Sequence, residues 1–163
     1  MPIRYAHILL WRAEVAAETN DLATAVTLIN QVRARAANQK IMGRCRTFVL
    51  LDQASLNVDY SVPAANYVVN PYASFPSLDY ARKAIQMENR LEFAMEGSRR
   101  FDLVRWDIAA ATINAYYTQD RGFRALFGGT SPAFFTAGKH EYFPLPQTQI
   151  DLQKGVLTQN PNY

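Results

Sequence analysis

Glu88, Glu92 and Glu96 recur at every fourth position, a spacing that on an α-helix stacks three carboxylates along one face. Like charges so placed repel, and they call for a metal ion, a proton or cations between them. Two chemistries would use them: a carboxylate-bridged metal centre and a paired-carboxylate hydrolase. A di-iron bundle needs Glu-x-x-His pairs, and neither His7 nor His140 stands three residues after a glutamate. A glycosidase needs its two carboxyls on opposite sides of the substrate rather than stacked along one helix. Arg90, Arg99, Arg100 and Arg105 follow closely, partly across Gly97. The preferred reading is therefore a structural ion-pair network of Glu88, Glu92, Glu96, Arg99, Arg100 and Arg105. On that reading no residue is catalytic and no metal is bound. Truncating Glu92 would cost about 3–5 kcal/mol if its partner were left buried, and under about 1 kcal/mol at the surface.

Other reactive signatures are missing from the sequence. It has no Gly-x-Ser-x-Gly, no phosphate-cradling glycine loop and no Cys–His signature, and Gly128-Gly129-Thr130 reads as a plain loop. His7 reads as a packed or surface histidine rather than a ligand. No enzyme and no cofactor is expected. Binding chemistry is better represented. Tyr60, Tyr67, Tyr72 and Phe75 punctuate an otherwise irregular stretch, and sugar rings pack their C–H faces on such aromatic planes while phenol hydroxyls form hydrogen bonds. Tyr67, Tyr72 and Phe75 are the candidate glycan-stacking groups; the competing reading is that these rings plug the stretch onto the helices.

Charge is less informative. Lys and Arg number 17 against 14 acids, a net +3 in 163 residues. The one concentration, Arg33, Arg35, Lys40, Arg44 and Arg46 with no acid between them, suits a nucleic-acid patch. It equally suits a helix C-terminus followed by a solvated loop, the reading preferred here, so no nucleic-acid partner is expected.

These groups need a scaffold, and at 49% apolar and 19% charged the chain can bury a sizeable core as a single domain over residues 1–163. Cys45 is alone, so no intrachain disulfide forms. Tyr5, Ile8, Leu9, Val15 and Ala16 trace one face of a helix from Tyr5 to Glu18. Asn20 and Asp21 cap a second, with Leu22, Val26, Ile29, Val32 and Ala36, ending near Ala37-Asn38. Residues 5–38 span the 34-residue tetratricopeptide period, with alanines that permit close helix approach. A lone pair leaves a face that stacked neighbours normally cover, and the helical pattern starts almost at Met1, so a longer protein with further N-terminal sequence is expected.

Residues 39–77 read as a long irregular excursion, β-prone only at Thr47–Leu51. Helix returns at Ser77 or Asp79 and runs to Gly97; Ser98–Trp106 and Asp107 to about Phe127 continue helical, with Trp11 and Trp106 read as core. The tail has an extended piece at Glu141-Tyr142-Phe143, one helical turn after Pro146, and a closing Asn160-Pro161-Asn162-Tyr163. The fold class is mainly α: a tetratricopeptide-like helix pair plus further helices with long irregular loops.

The block from Ala84 through Glu88-Asn89-Arg90-Leu91-Glu92-Phe93-Ala94-Met95-Glu96-Gly97-Ser98-Arg99-Arg100-Phe101 to Trp106 resembles the signature of the SusD/RagB family, nutrient-binding lipoproteins of the Bacteroidetes outer membrane. Ile29-Asn30-Gln31-Val32-Arg33-Ala34-Arg35-Ala36 is similar to the family's helix before the loop. Tyr142-Phe143-Pro144-Leu145-Pro146 and Leu157 to Tyr163 resemble its closing segment, with Asn162 where members usually carry glycine. Asn tolerates the left-handed region that such a turn uses.

The resemblance implies a surface-exposed, lipid-tethered, non-catalytic protein that binds glycans. Such a protein works as a hinged lid for a SusC-like TonB-dependent outer-membrane transporter. It further implies that these residues are the C-terminal portion, with the lipid anchor elsewhere than Cys45. Sugar affinity of the isolated stretch is then expected to be poor. The runner-up from a different class is a helical-repeat protein-protein interaction module with an open helix-pair groove; a carboxylate-dependent hydrolase is third.

Overall fold

The computed structural model describes residues 3–47, 57–126 and 134–163. Among them the chain is mainly α-helical, with six helices and one two-stranded sheet, and it divides into two compact units, Met1–Met95 and Glu96–Tyr163.

The first unit opens with α1, Tyr5–Glu18, and α2, Leu22–Asn38. The residues between them show why the chain turns here. Asn20 adopts φ 64°, Asn20 N–H donates to the Ala17 carbonyl at 2.9 Å and Asp21 N–H to that of Ala16 at 2.8 Å, which closes α1 in a Schellman motif with Asn in the left-handed position. Asp21 then accepts from Thr24 N–H at 3.0 Å and starts α2. At the other end of α1 the Arg4 N–H donates to His7 Nδ1 at 3.1 Å, so a histidine fills the capping-box position usually held by Glu.

The buried face of α1 is Ala6, Leu9, Leu10, Ala13, Ala16 and Ala17, whereas Tyr5, Ile8 and Val15 point outward. The stripe read from the large apolar residues is therefore corrected by about a quarter turn. Alpha1 packs against both α2 and α3, and its alanines admit the close approach that a three-helix contact requires. With Ala25, Leu28, Ile29 and Val32 of α2, and Ala81, Ala84 and Ile85 of α3, these residues make one core that also takes in Phe75 and Phe93. Leu10, Ile29 and Ile85 are its fully buried large side chains, each contributing about 1.5–3 kcal/mol of apolar burial. Trp11 keeps 39% of its surface exposed, so it is not the core residue its type promised.

Between α2 and α3 the chain is not wholly irregular. Strands β1, Met42–Thr47, and β2, Asn57–Pro63, pair antiparallel with Arg44 opposite Asp59, and with irregularities on either side of the Arg44–Cys45 pairing. The alternation Val58, Tyr60, Val62 carries the strand signal; β1 is too polar to show one. Residues 48–51 of the β-prone run lie outside the described residues. Gly43, at φ 111°, passes under Tyr60 where an added Cβ would come within 3.0 Å of the ring.

Helix α3 runs Leu78–Glu92, capped by the Ser77 hydroxyl accepting from Tyr80 N–H at 3.2 Å. It stops five residues short of Gly97. Phe93 turns into the core, 4% exposed, and stacks on His7 at 3.8 Å between ring centroids, so tertiary packing ends the helix before the glycine does.

The second unit contains α4, Arg99–Arg105, α5, Ala109–Leu126, and α6, Gln147–Leu152. Leu103, Ala109 and Phe135 form its small core, with Val104, Ile108, Ala110 and Ile113 packed around them. Irregular segments are held by side-chain amides. Asn114 exchanges two hydrogen bonds with the main chain of Phe135 at 2.9 and 2.8 Å, and Gln159 does the same with Leu145 at 2.9 and 2.7 Å. Asn162 sits at φ 67°, the left-handed turn expected of it. Phe127 and Gly128-Gly129-Thr130 lie outside the described residues.

Candidate functional site

The carboxylates of α3 and the aromatics before it meet in one place. Glu88, its side chain 5% exposed, pairs with Arg33 of α2, and the Tyr72 hydroxyl donates to the same carboxylate at 3.3 Å. The Arg33 guanidinium lies 4.6 Å from the centre of the Tyr72 ring and also donates from Nε to the Asn70 carbonyl at 2.6 Å. Asn30, one helical turn before Arg33, exchanges two hydrogen bonds with the Tyr72 main chain at 2.9 and 2.8 Å. Burial, reinforced by the neighbouring Glu88 charge and opposed by Arg33, pushes the Tyr72 phenol above its ordinary value of 10.0.

One turn on, Glu92 is held from two sides. Arg4 Nη1 donates to Oε1 at 2.9 Å and Arg4 Nη2 to the Glu92 carbonyl at 3.1 Å, while Arg35 Nη2 reaches both carboxylate oxygens at 2.5 and 2.6 Å. Glu96 lies beyond the end of α3, so only two of the three spaced carboxylates share its face. Arg100 donates to the carbonyl of His140 at 2.7 Å and lies over Phe143; Arg105 bonds Asp102 at 3.0 Å and, with Arg99, lies over Trp106. The cations shown on Glu88 and Glu92 are Arg4, Arg33 and Arg35, supplied by the start of α1 and the last turns of α2 rather than by the neighbouring 99–105 stretch. Among the described residues no group of three or more His, Cys, Asp or Glu side chains could hold a metal ion. The arginine pairs on these two carboxylates fasten α3 to α2 and to the start of α1.

The three aromatic candidates separate. Phe75 is 6% exposed and belongs to the core, and Tyr72 packs on that core, edge-on to Phe75 and to Tyr80. Both plug the segment onto the helices. Tyr67 is 37% exposed, and Tyr60 on β2 is 73% exposed. One open cavity of about 390 Å³ lies between α1 and α2, lined by Arg4, Tyr5, Ala6, Leu9, Gln31, Val32 and Arg35. No helix among the described residues is long and apolar enough to cross a membrane.

No curated protein matches the chain. The description of the SusD family matches it from residue 1 to residue 163, the stretch that carries the Glu88–Glu92 clamp and its arginines. The chain belongs to the SusD family, whose members bind glycans and other nutrients, are generally associated with the outer membrane and are generally not catalysts.

Proposed function

We propose that this protein binds oligosaccharide at the cell surface, as a lipoprotein of a Bacteroidetes outer membrane, and delivers it to a SusC-like TonB-dependent barrel transporter without chemical change. The family match along residues 1–163 carries the reading. Two further features support it. The buried carboxylates are engaged by arginines, which suits a rigid binding scaffold rather than acid–base work. Tyr67 offers a partly open ring on the segment that Tyr72 and Phe75 anchor from beneath, so of the three aromatic candidates it is the one proposed to meet sugar while the other two hold it in place.

The test is isolation of the tagged protein from membranes of its own cells, together with measured uptake of labelled oligosaccharides by cells lacking the gene. Co-isolation of a TonB-dependent barrel and slowed uptake of at least one oligosaccharide are expected. Absence of a co-isolated barrel together with unchanged uptake of every oligosaccharide would overturn the reading.

A further inference from the structure

Alpha1 and α2 leave between them an open cleft of about 390 Å³, within the range of sites for small organic molecules, roughly 300–1,000 Å³. Its base is apolar: Ala6, Leu9 and Val32 are 6%, 8% and 4% exposed. Tyr5, 73% exposed, joins them in the lining.

The charged part of the lining is cationic on the side that faces water. Arg4 and Arg35 both line the cleft and both bond the one carboxylate of Glu92. That carboxylate is 8% exposed, against 34% and 48% for the two arginine side chains, so a molecule entering from solvent meets guanidinium before it meets the acid. Arg4 is engaged further within the protein, which leaves Arg35 as the donor at hand. Arg35 gives only Nη2 to Glu92; its Nε and Nη1 have no acceptor among the described residues. Gln31 stands one helical turn before Arg35 on the same face of α2, and its amide has no hydrogen bond among the described residues either. A single carboxylate can accept from both, and its bond to the guanidinium is of the stronger, charge-assisted kind. An ion without an apolar body would leave Ala6, Leu9 and Val32 uncovered, and an apolar molecule without an anion would leave Arg35 and Gln31 unanswered.

We infer that this cleft takes a small amphipathic carboxylate, its charged end on Arg35 and Gln31 and its aryl or alkyl body over Ala6, Leu9 and Val32. The ligand is of a different class from the oligosaccharide proposed above, and the site stands or falls independently of that reading. Being open, it holds such an acid weakly, on the order of millimolar.

Solution NMR of the full chain tests it, following the Leu9 and Val32 methyls, the Gln31 side-chain amide and the Arg35 Nε–H. The probes are 4-phenylbutyrate and octanoate, their neutral counterparts 4-phenylbutyramide and octanamide, acetate, and maltohexaose as an uncharged sugar. At least one of the two amphipathic acids is expected to move all four sets of signals saturably, and to bind at least about fivefold tighter than its own amide, than acetate and than maltohexaose. Gln31→Glu and Gln31→Lys change the charge at an exposed position outside the core and the Glu92 clamp, and unshifted Leu10, Ile29 and Ile85 methyls will show that both fold. The acid is expected to bind the glutamate variant at least about tenfold more weakly than the lysine variant. The inference is overturned if neither acid moves the four sets of signals, if the amide, acetate or maltohexaose binds within that fivefold margin, or if the two Gln31 variants bind the acid alike. None of these results bears on the membrane isolation and uptake measurements, which decide the glycan reading by themselves.

Discussion

Arg4 grips Glu92 twice, through the carboxylate at 2.9 Å and through the main-chain carbonyl at 3.1 Å. The last turn of α3 is thus closed by a side chain that precedes α1, 88 residues away in sequence. Its guanidinium also lies 5.1 Å from the centre of the Phe93 ring, the residue at which the helix stops. The two glutamates of the clamp differ in how dry their cations are, and this sets the first expectation.

Glu88→Ala leaves Arg33, whose side chain is 18% exposed, without its carboxylate; a loss of about 3–4 kcal/mol is expected in urea or thermal unfolding. Glu92→Ala takes the carboxylate away from Arg4 and Arg35, whose side chains are 34% and 48% exposed and so reached by water, and about 1–2 kcal/mol is expected. Equal losses would show that solvent reaches both pairs alike.

Asn30→Ala removes both bonds to the Tyr72 main chain and is expected to cost about 1–3 kcal/mol. Asn30→Asp keeps an acceptor for the Tyr72 N–H but sets a carboxylate against its carbonyl, so it should fall at or beyond the alanine value. Unfolding midpoints of the three proteins compare them directly.

Tyr72 gives the protein an alkaline edge. Its phenol is raised in the folded state, so the contribution is complete below the ordinary value of 10.0 and is lost as pH climbs through the raised folded value. Urea midpoints between about pH 8 and 11 should decline more steeply in the unmodified protein than in Tyr72→Phe. The variant itself should lose about 0.5–1.5 kcal/mol at neutral pH with the Glu88 hydrogen bond. Parallel curves would remove Tyr72 from the transition.

Asp59 acts at the other end of the scale. Hydrogen bonds from Ser61, then Arg46, hold its carboxyl down at about 2, against an ordinary 3.8. The hairpin stabilisation it supplies is whole above 3.8 and disappears as pH falls through about 2. In Asp59→Asn, exchange protection across β1 and β2, taken relative to intrinsic exchange at each pH, should be nearly insensitive to acid over that interval.

Gly43→Ala forces a residue with a side chain into φ 111° beneath Tyr60. A local cost of about 1–3 kcal/mol is expected, visible as lost exchange protection in 42–47 and 57–63 with α1 to α3 unchanged. Protection lost throughout the first unit would instead tie the hairpin to the core.

Much of this architecture is legible in the residues. The limits of α1 and α2 follow from a 3.6-residue period broken by Asn20-Asp21, and the Ser77 cap and the turn at Asn162 are chemical signals that need no tertiary context. The end of α3 is not, because Phe93 is drawn inward by His7, a partner no local rule names. The cations of the clamp escape for the same reason. Proximity in sequence favours Arg99 to Arg105, whereas Arg33 and Arg35 lie 55 and 57 positions from their glutamates and are brought there by helix packing. Exposure of aromatics is equally opaque: Tyr67 and Phe75 stand in the same polar stretch, and only the packing under Phe75 separates their roles.

The stretch that leaves α2 at Asn38 comes back to the same helix, about two turns earlier, where Asn30 and Arg33 hold residues 70 to 72. Both feet of the excursion therefore stand on one rigid rod. For a chain pinned in that way, doubling the span between the feet adds only about 0.6 kcal/mol of closure entropy. Lineages can lengthen, shorten or rewrite this arch, and with it whatever the arch touches, while the three-helix footing beneath it stays as it was.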